Sequence, residues 1–262
     1  MVRVSVGYEF LYPPLPEQRK IADILSTWDQ AIETTEALLA TARTQKRALM
    51  QALLTGKRRF PEFEGQGWKE VRLGDLVEIT TGKAKRDDLD EDGDKIVLDM
   101  GSVSRSGTII PKKRTFTTED VLSLGDLVMP KDDIGGGNII GKVVLVSEED
   151  AFVLGDHVYR LRIRSNRAVR PDFLRFAING SEVNRWLRRK ANGTAQLGLG
   201  RRDIEKQVVR LPPIQEQTRI ANILSDAELR EAEYEVQIAN LCTEKKALMQ
   251  QLLTGKRRVI LK

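Results

Sequence analysis

The segment "PPLPEQRKIADILS" (Pro13–Ser26) returns 199 residues later as "PPIQEQTRIANILS" (Pro212–Ser225). At the same offset "ALMQALLTGKRR" (Ala48–Arg59) returns as "ALMQQLLTGKRR" (Ala247–Arg258). Over Pro13–Arg59, 24 of 47 positions are identical between the copies, with no gap. An internal repeat of this kind is the first feature a fold must explain. The middle of each copy diverges while its length is kept, so length is itself a constraint.

A single spacing accounts for that constraint. In the first copy Ile21, Leu25, Trp28, Ile32, Thr35, Leu39, Ala42, Lys46, Leu49 and Leu53 follow one another in alternating steps of four and three. The second copy repeats the register with Ile220, Leu224, Ala227, Glu231, Tyr234, Ile238, Leu241, Lys245, Leu248 and Leu252. This is the a/d seam of a coiled coil, whose few polar members set register or orientation. Proline opens each copy, and Gly56 and Gly255 stand where a helix C-terminal cap belongs, with basic residues beside them. Two helices of about 40 residues, roughly 60 Å each at 1.5 Å per residue, are expected. Neither can bury its stripe alone, and an antiparallel pair buries both.

Between the copies the pattern changes. "EVRLGDLVEIT", "KIVLDMGSV", "GDLVMP", "NIIGKVVLV" and "HVYRLRIR" are short apolar runs separated by glycine and charge, and they read as strands. "PDFLRFAINGSEVNRWLRRKA", opening at Pro171, reads as one amphipathic helix. "NGTAQLGLGRRDIEKQVVRLPP" is a polar loop leading to a last strand. The expected architecture is a mixed α/β (α+β) globular domain over 60–211, flanked by helices over 13–59 and 212–262, with 1–12 as a separate short segment.

Bulk properties narrow the class. In 262 residues, 40% are hydrophobic and 31% charged, and no apolar run reaches the 18 or so residues of a membrane span. "MVRVSVGYEF" lacks the apolar core of a secretion signal, and the one cysteine, Cys242, can form no intrachain disulfide; a cytoplasmic protein is expected. A net charge of +5 and a pI near 9.3 suit a nucleic-acid partner without requiring one.

Catalytic motifs fail on inspection. "GGNIIGKV" (Gly136–Val143) has phosphate-loop spacing, but Val143 stands where a magnesium-binding hydroxyl belongs, and a strand-like run follows in place of a helix. "DLDEDGDKIVLD" (Asp88–Asp99) has the acidic spacing of a calcium loop without flanking helices, so a solvated acidic hairpin loop is expected. His157 is the only histidine and has no G-x-S-x-G partner, so it reads as a buried or turn residue. The Pro-Pro pairs lack the Asn/Asp-Pro-Pro-aromatic motif of adenine methylation. No metal site and no nuclease cluster stands out.

The chain resembles the specificity (S) subunit of type I restriction–modification enzymes. The resemblance is carried by "PPLPEQRKIADIL", "LLTGK", "GWKEVRLGDLVEITTGK" and "NGTAQLGLGRRDIEKQVVRLPPIQEQTRIANIL", and it covers nearly the whole chain. In that family the insert is a target recognition domain and the long helices are conserved regions. Members run target domain, helix, target domain, helix; here the first target domain is missing, and residues 1–12 look like a remnant of its last strand. The resemblance implies a non-catalytic subunit that binds no cofactor itself. It implies partner methyltransferase subunits carrying S-adenosylmethionine, possible restriction-translocase subunits, and double-stranded DNA as target. One target domain reads one half of a bipartite site, so a homodimer is expected to read both halves. Ile24, Leu38 and Leu54, outside the seam, are candidate docking positions.

DNA contacts are sought among exposed basic and amide residues of the insert. These are Lys83, Lys85 and Arg86; Arg105; Lys112, Lys113 and Arg114; Lys131 and Asn138; and Arg188, Arg189, Lys190, Asn192, Thr194, Gln196, Arg201 and Arg202. The last group is favoured, because a basic helix end feeds a polar loop. Three alternatives remain open at this point: a monomer that specifies one half-site, a coiled-coil adaptor without DNA specificity, and a stand-alone methyltransferase or nuclease.

Overall fold

A computed structural model describes residues 13–134, 136–193 and 196–259. In chain order its elements are α1 (Leu15–Leu54), β1 (Lys69–Arg72), the helical turn α2 (Leu73–Leu76), β2 (Val77–Thr81), β3 (Lys95–Leu98), β4 (Arg114–Thr115), β5 (Leu127–Pro130) and β6 (Asp132–Asp133). There follow β7 (Val144–Leu145), β8 (Phe152–Leu154), β9 (Val158–Ile163), α3 (Pro171–Asn179), α4 (Ser181–Lys190), β10 (Leu197–Gly198), α5 (Arg201–Lys206), β11 (Val208–Leu211) and α6 (Ile214–Leu253). The described residues form two compact units, one of 13–47 with 226–259 and one of 48–225. The segment 1–12 lies outside the described residues.

In the first unit α1 and α6 run antiparallel. Asp29 pairs with Lys245, Arg43 with Glu235 at 2.6 Å, and Lys46 with Glu231 at 3.1 Å and Glu228 at 3.3 Å, so partner numbers fall along α6 as they rise along α1. Seam residues Ile21, Thr35, Leu39, Ala42 and Leu252 are buried. Leu25, Trp28, Ile32, Tyr234, Ile238, Leu241 and Leu248 are half-buried. The charged seam positions are ion-paired across it: Lys46 meets Glu231, itself a seam residue, and its repeat equivalent Lys245 meets Asp29. A charge in the seam that finds its partner only in one alignment fixes register.

The helix ends use the repeat directly. Arg258 donates twice to Glu17, at 2.7 and 2.6 Å. In the other unit the equivalent residues Arg59 and Glu216 make the same pair, at 2.9 and 2.6 Å. Each tail is aimed by a left-handed glycine, Gly56 at φ +70° and Gly255 at φ +72°, a conformation that costs any residue with a Cβ.

The second unit is the α/β domain closed by the helix ends. Its main sheet is antiparallel in the order β2-β9-β5-β7, and a second sheet, β4-β3-β8, pairs β3 parallel to β8. β5 is buried at all four positions, because both faces of the main sheet are covered. On one face Ile79, Met129 and Leu161 pack with Phe173, Phe176, Leu53, Ile220 and Leu224. On the other, Val128, Val144 and Val158 pack with Leu98, Leu122 and Phe152. Fully burying each large side chain contributes about 1.5–3 kcal/mol.

Three expectations needed revision. "EVRLGDLVEIT" is not one strand: Leu73 and Leu76 are both buried, and a helical turn serves both where an extended chain would turn every second residue the same way. "PDFLRFAINGSEVNRWLRRKA" is two helices, broken at Gly180, which is extended at φ −61°, ψ 154° and packs against the Leu54 side chain. The segment 200–207 also holds a helix, α5, where a loop was expected.

Gln217 anchors α6 to the domain. Its side chain is 1% exposed, accepts from the Arg170 N–H at 3.0 Å, and donates to the carbonyls of Ala168 at 3.1 Å and Pro212 at 2.9 Å. Gln217→Ala leaves three buried polar groups unsatisfied and is expected to lower unfolding stability by about 2 kcal/mol, read by chemical denaturation. A second expectation concerns acid. The hydrogen bonds from Arg258 hold the Glu17 carboxyl below its ordinary value of 4.5. Its contribution is thus present above the unfolded value and lost as pH falls through the lower folded one. Thermal melts should show Glu17→Gln already destabilised at neutral pH, and less sensitive than wild type to acidification below about pH 4.5.

Candidate nucleic-acid interface

The favoured polar loops are organised by a two-residue strand. Asp132 and Asp133 form β6, which pairs antiparallel with Leu197 and Gly198 of β10. The Asp133 carboxylate accepts from the Ile139 N–H at 2.7 Å and the Ile140 N–H at 3.3 Å, closing the glycine-rich loop before them. Asn192 and Gly198 exchange two backbone hydrogen bonds, at 2.9 and 2.8 Å, closing the next loop. Leu199 N–H donates to the Lys131 carbonyl at 2.8 Å. Gly137, at φ +81°, is where these loops touch: a Cβ there would lie 3.0 Å from the Leu197 side chain and 3.8 Å from Arg188 Nη2. Lys131, Asn138, Arg188, Asn192 and Gln196 are thereby gathered around one strand pair.

A second gathering lies around the β8–β9 turn. A cleft of about 360 Å³ is lined there by Arg86, Lys112, Lys113, Asp99, Asp156 and His157, among others. Gly82 packs against the carbonyls of Leu154 and Gly155, which places Lys83 beside the same turn. The two gatherings are joined at His157, whose Nδ1 is bonded to Asp132 Oδ2 at 2.7 Å and whose carbonyl accepts from the Lys131 N–H at 2.8 Å. Burial, and then the nearby Asp132 carboxylate, push the phenol of Tyr159 up; its hydroxyl donates to the Leu199 carbonyl at 3.1 Å.

The other sequence candidates divide. Arg189 and Lys190 are exposed in the last turn of α4, where the helix dipole favours cations, and Lys190 lies 5.3 Å from the Trp186 ring centroid. Arg202 is exposed, while Arg201 is paired with Glu205 at 2.7 Å. Arg105 sits in an exposed turn whose Gly107 packs on Asn179, apart from both gatherings. Arg114 is exposed and donates to the Gly93 carbonyl at 2.7 Å. Thr194 lies outside the described residues. Lys85 is a correction: its side chain is 2% exposed and its ammonium faces Asp120 at 3.0 Å and Glu119 at 3.6 Å, so its charge is used inside the fold. Of the two readings of His157, buried or in a turn, the structure has the second: the residue occupies a turn with its side chain 48% exposed.

Cys242 is exposed on α6, and no cluster of three or more metal-ligating side chains occurs among the described residues. No helix among them is long and apolar enough to cross a membrane.

The chain thus carries one α/β domain between two copies of one helix, with its polar loops gathered around β6. A family model described as the type I restriction modification DNA specificity domain matches residues 65–240, and the chain belongs to that family. The specificity subunit of the type I restriction enzyme MjaVIII of Methanocaldococcus jannaschii is 29% identical, across 94% of this chain and 61% of that one. A putative MjaX specificity subunit from the same organism is 26% identical, across 94% and 59%. Among solved structures, the S subunit of a type I restriction–modification system from M. genitalium superposes with a TM-score of 0.66 at 16% identity, covering 92% of this chain and 61% of that one. The HsdS subunit from Thermoanaerobacter tengcongensis superposes with a TM-score of 0.53 at 20% identity, covering 94% and 60%. The chain thus spans about 60% of the length of the relatives it matches.

If the β6–β10 pair carries the polar loops, loosening it should be visible without any ligand. Asp133→Ala removes the acceptor for two loop N–H groups and should speed hydrogen exchange at residues 136–140 at least ~10-fold, corresponding to about 1.4 kcal/mol of local opening, with the β2–β9 strands unchanged.

Proposed function

We propose that this chain is a non-catalytic DNA specificity subunit whose globular domain reads one half of a bipartite duplex site. The observation that carries the reading is the convergence of the exposed cations and amides on one strand pair, in a chain that belongs to the DNA specificity family. Phosphates are met by Lys83, Arg86, Lys112, Arg188, Arg189 and Lys190, and base edges by the amides of Asn192 and Gln196 and the glycine-rich loop. The long helices space half-sites and dock methyltransferase subunits, which carry S-adenosylmethionine. Exposed apolar side chains outside the seam support docking: Leu38 on α1, 46% exposed, and Leu229 and Val236 on α6, both 60% exposed. Leu54 is withdrawn from that role, because it packs on Gly180. One domain reads one half-site, so two copies related by a twofold axis read a palindromic interrupted site.

Two measurements test this. Light scattering on the chain bound to its duplex should give the duplex mass plus twice the 29.6 kDa chain mass, and site mapping should show two symmetric half-sites. A single chain on one asymmetric half-site sinks the homodimer. Arg188→Ala with Arg189→Ala should weaken duplex binding and reduce the slope of log affinity against log salt by about one per lost phosphate contact. An unchanged slope removes α4 from the interface.

A further inference from the structure

The most singular residue of the interface is the only histidine of the chain, His157. Its backbone is left-handed at φ +60°, a region few side chains other than Asn, Asp and His enter. Its carbonyl accepts from the Lys131 N–H at 2.8 Å, and its Nδ1 is bonded to Asp132. With an ionised carboxylate as partner, Nδ1 carries the proton and Nε2 is left as the atom offered outward. Nε2 lies 3.6 Å from Asp156 Oδ2, beyond hydrogen-bond reach.

The charges facing it are uneven. Lys113 is held by Asp99 at 2.5 Å and Lys85 by Asp120 at 3.0 Å. Among the described residues no ion pair engages Arg86 or Lys112 in the same cleft. The imidazole therefore stands between two carboxylates, Asp132 and Asp156, on the path between two cationic gatherings. A phosphate placed there meets those carboxylates as like charges unless the imidazole is protonated. An added anion stabilises the protonated form, and by linkage the protonated form binds the anion more tightly.

We propose that His157 is a DNA-contacting residue that takes up a proton when a backbone phosphate enters this cleft, so that the interface binds duplex more tightly as pH falls. The inference rests on the DNA reading above. Histidine is the side-chain type whose charge changes most readily near neutral pH, and His157 is the only one in the chain.

The test uses the full chain and a mixed-sequence duplex carrying a pH-insensitive dye, at constant ionic strength. One proton taken up allows at most ~10-fold in Kd per pH unit. Wild type should tighten by about 3- to 10-fold per unit over part of that range. His157→Asn keeps a residue that tolerates the left-handed backbone while removing the titration, and it should show a flat profile. Calorimetry on wild type in two buffers of different ionisation enthalpy provides a reading independent of any variant, and binding near pH 7 should take up a measurable fraction of a proton. Parallel pH profiles for wild type and His157→Asn, or no proton uptake by wild type, overturn the proposal while leaving DNA reading intact. Absence of duplex binding by wild type at every pH overturns both.

Discussion

One carboxylate, Glu216, ties the domain to its frame. It is fully buried at the start of α6 and receives both arms of Arg59, from the tail of α1, and the indole N–H of Trp68, at the threshold of β1. Arg59 also donates to the Gln66 carbonyl at 2.6 Å, and its guanidinium lies 5.7 Å from the Trp68 ring centroid. Remove the carboxylate and a half-buried cation and an indole N–H lose their acceptor together. Such a loss is costlier than that of an exposed pair, because the carboxylate end of the pair is withdrawn from water. The domain begins and ends at this point, so its strand order is set on a fixed base.

What the amino-acid pattern revealed, and what it hid, follows from the range of the interactions. Seam residues such as Leu39, Ala42 and Ile220 are legible because burial on a helix repeats every three to four residues and leaves a period in the text. Strands such as Val158–Ile163 are legible for the same reason at period two. The break at Gly180 is not, since a helix of either continuity satisfies the local pattern; what decides it is Leu54, far away in sequence. Lys85 looked like a surface lysine because its partners, Asp120 and Glu119, lie 35 and 34 positions further along.

The interface was legible in composition and illegible in assembly. Loops rich in Gly, Asn, Lys and Arg announce themselves, but the strand that gathers them is two aspartates long. "KDDIGGG" reads as a turn, and nothing local distinguishes the aspartate that closes the glycine loop from the one that holds a histidine. Paired short acids before a glycine run, with a lone histidine elsewhere between apolar strands, are the only available hint. Sites built from loops carry their logic in contacts between distant segments, which a single sequence does not display.

The ion pairs of the helical unit join residues 182 to 241 positions apart, whereas the domain unit is one continuous stretch, 48–225. Residues 48–225 form one compact unit, so the sheet can close once that stretch has left the ribosome. The first helix has no such option. Its seam, with Leu39 and Ala42 uncovered, waits for the residues after 225, and the loop to be closed is already ordered when they arrive. A folded insert shortens the effective chain between the two helices and lowers the entropy lost in bringing them together. The order in which partners become available thus follows the chain: those of the domain within one stretch, those of the first helix only after residue 225.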